Sequence, residues 1–308
     1  MIVVLAGGVG AARFLEGLIR VVPQRKITII GNVGDDTEIH GLRISPDLDI
    51  VTYTLAGLVD PVKGWGFRGD TFECQEILGK YGYETWFNLG DRDLATHIYR
   101  TEQLRKGQEL SQITQQLIRR LGLQIRLLPA TNDPMQTHVL TDKGWIQFQE
   151  YMVKHKTNLQ VRRVKFEGAR SARPTRGVID SIANATGVIV APSNPIVSIG
   201  AILAIQGIRS ALRQTKQKVV GISPIIGGKT VKGPANKLMK ACGIKPSALG
   251  VAECYEDFMD TLIIDRVDKR LARGIERLGI KPVVADTLMK DMRSKKRLAY
   301  ITLGALKN

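Results

Sequence analysis

The chain is poor in cysteine. Cys74, Cys242 and Cys254 are the only three among 308 residues. They are odd in number and not at metal-ligand spacing. A disulfide framework and a zinc finger are therefore excluded, and buried thiols in a reducing cytoplasm are expected. No run approaches about 18 unbroken apolar residues, so no membrane span is expected. The chain enters an apolar run at residue 2 without the charged start and cleavage site of a signal peptide, which again points to a cytoplasmic protein. Repeats, low-complexity tracts and long linkers are missing too. Aromatic residues make up 6% of the chain. The densest basic runs, 162–176 and 290–297, lack the aromatic interleaving of a single-strand binder, and no helix-turn-helix spacing occurs. The formal charge of +16 thus reads as a solvated basic surface, or as attraction for an anionic substrate, rather than as nucleic-acid binding.

What is present is an alternation. Short runs rich in Val and Ile recur at 2–6, 27–31, 187–191, 218–222, 261–265 and 281–284. Amphipathic stretches at 11–22, 111–121, 199–213 and 267–278 read as helices that cover them. This predicts an α/β fold with a doubly wound, mostly parallel Rossmann-like sheet. From about 42 to 125 strong strands are missing, which predicts a largely helical cap or insertion over one end of the sheet. Thr137-His-Val-Leu, the turn Thr141-Asp-Lys-Gly144 and Trp145-Ile-Gln-Phe predict a β-hairpin. Residues 1–308 are expected to form one unit.

The chemistry gathers at strand ends. The first run breaks into Gly7-Gly8-Val9-Gly10, the second into Gly31-Asn32-Val33-Gly34-Asp35-Asp36. Both read as turns that bring bare backbone N–H groups to an anion. In Gly8-x-Gly10-x-x-Arg13 an arginine replaces the third glycine of the dinucleotide fingerprint, and the Lys-Ser/Thr end of a P-loop is missing. A standard nicotinamide site and an ATPase are unsupported, and tight strand-to-helix packing is the alternative use of this turn. Ser193, Asn194 and Ser198 follow the strand at 187–191, either as a phosphate cradle at a helix start or as plain N-caps. Gly227 and Gly228, with Lys229 and Lys232 nearby, follow the strand at 218–222. Four such loops on one sheet edge predict a single site for a nucleotide or nucleotide diphosphate. Asp35, Asp36, Asp47 and Asp49 suit Mg²⁺ bridging diphosphate oxygens, although Asp47 and Asp49 alone also suit N-caps. In Gly90-Asp91-Arg92-Asp93, Arg92 suits a phosphate or carboxylate, with Asp91 beside it. His97 is either a structural hydrogen-bonder or a catalyst. Trp65 either stacks on a flat ring or fills core. Residues 60–70 are the candidate lid.

These blocks also occur together in a known family. Ala6-Gly-Gly-Val-Gly, Asn32-Val-Gly-Asp-Asp, His40-Gly-Leu-Arg-Ile-Ser-Pro-Asp-Leu-Asp, Leu89-Gly-Asp-Arg-Asp-Leu-Ala-Thr-His, Ala191-Pro-Ser-Asn-Pro-Ile-Val-Ser-Ile-Gly and Ser223-Pro-Ile-Ile-Gly-Gly run in order over nearly the whole chain. In this the chain resembles the 2-phospholactate transferases of coenzyme F-420 biosynthesis. The resemblance implies that a three-carbon acid on the terminal phosphate of a guanosine diphosphate donor (lactyl, enolpyruvyl or glyceryl) is transferred with that phosphate. The acceptor would be the ribityl hydroxyl of 7,8-didemethyl-8-hydroxy-5-deazariboflavin, called Fo, and GMP would leave. It further implies Mg²⁺ dependence. On this reading Gly7, Gly8, Gly10, Asn32, Ser193 and Asn194 cradle the diphosphate. Ser198, Gly227, Gly228, Asp35, Asp47 and Asp91 join the substrate site. Asp36 and Asp49 are the first choice of metal ligands, with Asp35 and Asp47 as substitutes. Asp36, Asp49 and Arg92 are the catalytic candidates, one carboxylate orienting or deprotonating the acceptor hydroxyl. Alanine at Asp49 is expected to abolish turnover and spare the fold. Val9 stands where archaeal members often have Thr and Ser45 where actinobacterial members have Cys; the N-terminal half resembles actinobacterial members and the C-terminal part archaeal ones, so the donor's acid stays open. A homodimer is expected, as is the absence of a glutamate-adding ligase domain after residue 308. The alternative is a nucleotide-sugar-binding regulator from a related branch, which shares the glycine turn and the Ser-Asn-Pro loop; the block at 89–97 and Ser45-Pro-Asp-Leu-Asp favour the transferase.

Overall fold

A computed structural model describes residues 1–307. Its frame is a seven-stranded parallel sheet of β1 (Ile2–Ala6), β2 (Ile27–Gly31), β3 (Arg126–Pro129), β4 (Gly187–Val190), β5 (Val219–Ile222), β6 (Thr261–Asp265) and β7 (Lys281–Ala285). The order across the sheet is β7-β6-β5-β4-β1-β2-β3. β1 lies inside it and pairs Ile2 with Ile27 on one side and with Gly187 on the other. The chain builds outward from β1 to β3, returns across the sheet, and builds outward again from β4. The strand order therefore reverses between β1 and β4, and ligands of open α/β sheets bind beyond the carboxyl ends of the strands at such a reversal.

Both faces are covered, so the strands read as continuous apolar runs rather than as alternation. Val3 and Leu5 of β1 join one core layer, Val4 and Ala6 the other. The second layer holds α1 (Gly8–Leu18), α2 (Pro46–Leu55) and the C-terminal helix Met292–Ala305. α1 meets that last helix closely: a Cβ on Gly17 would stand 2.5 Å from the Lys295 carbonyl, and Lys295 Nζ reaches Glu16 at 2.5 Å.

The insertion between β2 and β3 is largely helical: α2, α3 (Glu73–Lys80), α4 (Asp91–Arg105) and α5 (Leu110–Arg120). A short ribbon, Thr37–Ile39 with Leu42–Ile44, precedes it. The hairpin is present as Gln136–Thr141 and Gly144–Gln147, and Arg163–Glu167 adds a third antiparallel strand to it. Two expected helices are interrupted. The stretch 199–213 divides into Ile199–Ala204 and Ile208–Gln214 at Gly207, whose φ of +89° suits glycine. The stretch 267–278 begins as a 3₁₀ turn, Arg266–Leu271, before Ala272–Glu276 continues as α-helix. No described helix is long and apolar enough to cross a membrane.

Candidate functional site

A cavity of about 900 Å³ opens beyond the carboxyl ends of the strands, across the reversal between β1 and β4. Its floor is the contact of two loops. The Gly7 N–H donates to Ser193 Oγ at 3.2 Å. A Cβ on Gly10 would lie 2.3 Å from the Pro192 carbonyl oxygen, and one on Gly7 would lie 2.7 Å from Asp47 Oδ2. Glycine is therefore needed here for close approach of backbone and side chains. Gly7, Gly8, Gly10, Ser193, Asn194 and Ser198 all line the cavity. Asn194 Oδ1 accepts from the Ile196 N–H at 3.0 Å and stiffens its own loop. Ser198 precedes the helix Ile199–Ala204 but makes no side-chain capping bond. Asn32 lies just behind the wall. Its amide donates to Asp47 Oδ2 at 2.9 Å and to the Val197 carbonyl at 3.3 Å, tying together the loops after β2 and β4 and the start of α2.

The four expected acids divide into two kinds. Asp36 faces away from the cavity. Its Oδ2 accepts from Arg43 at 3.0 Å and from Ser45 Oγ at 2.7 Å. Burial pushes it up to about 6 even so, Arg43 and Ser45 pulling the other way. Asp49 lines the cavity, but both its oxygens are held by the guanidinium of Arg100, one at 3.1 Å and the other closer. Asp35 and Asp47 also line the cavity and have no cation. Burial, then the neighbouring charges of Asp47 and Asp36, hold Asp35 well above the usual carboxylate range, and its Oδ1 is buried without a partner. Burial likewise pushes Asp47 up to about 6, against the hydrogen bond from Asn32. Two crowded carboxylates of this kind are short of positive charge. Among the described residues no three His, Cys, Asp or Glu side chains converge into a closed metal cage. Mg²⁺ does not need one, since one or two carboxylates with substrate phosphates commonly suffice. The pair Asp35 and Asp47 fits Mg²⁺; Asp36 and Asp49, the first choice from the sequence, already have guanidinium partners. Neither Asp47 nor Asp49 is an N-cap, for Ser45 occupies that position of α2.

α4 contributes one face. Asp93, His97 and Arg100, spaced four and three apart, point the same way. His97 is buried, with Nε2 at 3.2 Å from Asp93 Oδ1 and Nδ1 at 3.2 Å from Arg100 Nη1. Because the arginine can only donate, Nδ1 accepts from it, while Nε2 lies close to Asp93 without a hydrogen bond of its own. Tyr53 Oη donates to Asp93 Oδ1 at 2.7 Å. His97 is therefore a link in a fixed chain running from Tyr53 through Asp93 and Arg100 to Asp49. Arg100, Tyr53 and Arg43 were not singled out in the sequence, although the spacing from Asp93 to Arg100 carried the signal for the first.

Asp91 and Arg92 lie outside the cavity lining. Asp91 accepts from Thr71 Oγ1 at 2.6 Å and from the Glu73 and Cys74 N–H groups at 3.0 Å, so it caps the start of α3. Arg92 donates to the Arg68 carbonyl at 3.2 Å. Gly227 and Gly228 sit just behind the wall, where the Gly227 N–H donates to Asp268 Oδ2 at 2.9 Å, while Ile226 and residues 230–235 face the cavity. Trp65, which is 40% exposed, lies on the wall with Phe87 and Phe148, a position suited to stacking on a flat ring. Of the loop at 60–70, Trp65 and Gly66 reach the cavity.

Comparison with known proteins identifies the family of the chain. The family model described as 2-phospho-L-lactate transferase CofD matches residues 2–302. A phosphoenolpyruvate transferase of Streptomyces griseus is 42% identical over 304 residues, covering 97% of this chain and 96% of that protein. A 2-phospho-L-lactate transferase of Methanosarcina mazei is 38% identical over 303 residues, covering 98% and 99%. Among solved structures, a member of the UPF0052 family from Bacillus halodurans has a TM-score of 0.64 at 17% identity, covering 98% of each chain; at that identity the likeness is one of fold.

Proposed function

Since the chain belongs to the 2-phospho-L-lactate transferase family, a family of transferases in coenzyme F-420 biosynthesis, we propose that it transfers a phosphorylated three-carbon acid from a guanosine diphosphate donor to the ribityl hydroxyl of Fo. The acceptor oxygen bonds to the donor's terminal phosphorus, the bond from that phosphorus to the bridging oxygen breaks, GMP leaves with the electron pair, and the hydroxyl proton passes to solvent. The observation that carries this reading is the meeting of a glycine cradle and a carboxylate pair without a cation in one cavity large enough for a nucleotide and a ring. Transfer of this kind asks the protein mainly for positioning and charge stabilisation. The glycine turn at 7–10, through its close approach, and the loop at 193–198 hold the diphosphate. Mg²⁺, held by Asp35 and Asp47, would neutralise charge on the diphosphate oxygens. Asp49, fixed by Arg100, orients the acceptor hydroxyl, and Trp65 stacks on the deazaflavin. The reading further includes a cytoplasmic location, which three cysteines without a disulfide support, and a homodimer as the expected assembly.

The test is turnover with Mg²⁺, Fo and each of the lactyl, enolpyruvyl and glyceryl donors, read by mass spectrometry. A phosphodiester adduct of Fo with release of GMP is expected from at least one donor. No adduct, together with no binding of Fo, would move the reading to a nucleotide-sugar-binding regulator.

A further inference from the structure

Three cations line the same cavity as the carboxylates: Arg13 from α1, Lys232 from the loop after β5 and Lys290 from the loop after β7. Among the described residues none of the three has a carboxylate within ion-pair distance, whereas Lys295 and Arg297, close to Lys290 in sequence, are paired with Glu16 and Asp286. Lys232 Nζ has one partner, the Lys63 carbonyl at 3.3 Å. It also lies beside the glycine turn: the position of a Cβ on Gly64 is 2.9 Å from Lys232 Nζ and 3.8 Å from Val9 Cγ1. Arg13 is one and a half helical turns from the same glycine turn and half-buried. The segment before Lys290 is fixed, since Asp265 Oδ2 accepts from both the N–H and the hydroxyl of Thr287 at 3.0 Å. Three cations without a carboxylate, lining one cavity, make a site short of negative charge.

From this we infer that Arg13, Lys232 and Lys290 form a carboxylate subsite that grips the three-carbon acid of the donor. The inference rests on the proposed transferase reading and deepens it. The donor's diphosphate already has the glycine turn, the Ser193 loop and the Asp35–Asp47 metal site. The anion left over is the carboxylate, and it is the group that lactyl, enolpyruvyl and glyceryl donors share. An arginine fork matches a carboxylate bidentately, and lysines add charge without demanding one geometry. A subsite of this chemistry identifies the donor by its acid end rather than by its carbon skeleton.

The test compares GDP with lactyl-diphosphoguanosine, by calorimetry in Mg²⁺, on wild type and on the triple variant Arg13→Gln, Lys232→Gln, Lys290→Gln. Wild type should bind the lactyl compound more tightly than GDP. The variant should lose about tenfold or more on the lactyl compound, as expected for charged hydrogen bonds, and keep its affinity for GDP. Equal losses on both ligands would assign the rim to the diphosphate and overturn the inference. No loss on either would show the rim to be idle, with the same consequence. If wild type binds neither guanosine compound, the donor assignment itself fails, and that result is visible before any variant is made.

Discussion

At the residue scale, Asp47 and Asp49 differ by two positions and should respond oppositely to substitution. Asp47 is buried beside Asp35 without a cation, so its charge opposes folding when no metal is bound. Asp47→Asn should raise the Tm of the metal-free protein and cut turnover by about a hundredfold or more; scanning calorimetry and product release check the two halves. Asp49→Ala should do the reverse to stability. It would leave Arg100, 1% exposed, without its carboxylate, and stranding one member of a buried pair costs about 3–5 kcal/mol. The fold would suffer along with turnover, contrary to what the sequence alone suggested, and urea titration measures it. The thiols form another contrast. Burial pushes Cys254 up to about 12, whereas Cys74 is exposed. The thiolate is the reactive form, so iodoacetamide at pH 8 should label Cys74 in the native protein and Cys254 only after denaturation, as peptide mass mapping would show. The aspartates and glycines of the site were legible because their residue types cluster at strand ends. The role of Arg92 was not. A guanidinium next to a conspicuous Asp reads as a substrate ligand, but the chain beside it at Arg68 supplies a carbonyl first. Arg100 escaped notice for the complementary reason: its spacing from Asp93 and His97 on one helix is visible in the sequence, but its main partner, Asp49, is brought to it only by the fold.

At the element scale, the glycine turn works by closeness. Gly10→Ala would drive a methyl group into the Pro192 carbonyl, a backbone atom that cannot step aside. Overpacking of this kind costs about 1–3 kcal/mol, and because the same contact shapes the cradle, donor affinity should fall with stability. Unchanged affinity in a folded Gly10→Ala protein would remove the cradle from the site. The helix Ile208–Gln214 is tied to the turn at Asp257 by Arg209 and Arg213, each at 2.6 Å. Burial raises Asp257, but these two guanidinium groups outweigh it and leave the carboxyl below its usual range. A depressed carboxylate stabilises the fold above its ordinary titration range and loses that contribution as pH falls through its lowered value. Asp257→Asn should therefore lower Tm near neutrality and narrow its distance from wild type toward acid pH. The elements themselves were unequally legible. Val- and Ile-rich runs identify central strands because both their faces are buried. β3 has four residues, Arg-Leu-Leu-Pro, at the sheet edge, and lacks the Val residues that mark β7 at the other edge. The third strand of the small sheet, Arg163–Glu167, is hidden in a basic run.

At the scale of the whole molecule, the strand reversal gathers loops from residues 7, 35, 193, 232 and 290 into one cavity, in a chain of formal charge +16. If that charge draws in the donor, the donor's KM should rise severalfold between about 50 and 500 mM salt, because screening shortens the reach of a charged surface. A flat KM in steady-state assays would reduce the charge to a solvated coat. The doubly wound plan was readable from the alternation of runs, yet the pairing of β1 with β4 was not, since nothing local to residue 2 specifies residue 187. That long-range pairing has a consequence for synthesis. β1 leaves the ribosome first and gains β2 within 30 residues, but its other edge stays open until residue 187 emerges. At about 5–20 residues per second the wait is roughly 10–40 s. For that time the nascent chain shows an apolar, unpaired strand edge, the kind that recruits other chains. A chain stopped at residue 186 is thus expected to aggregate and to depend on chaperones, and the same edge would close as soon as synthesis continued through β4.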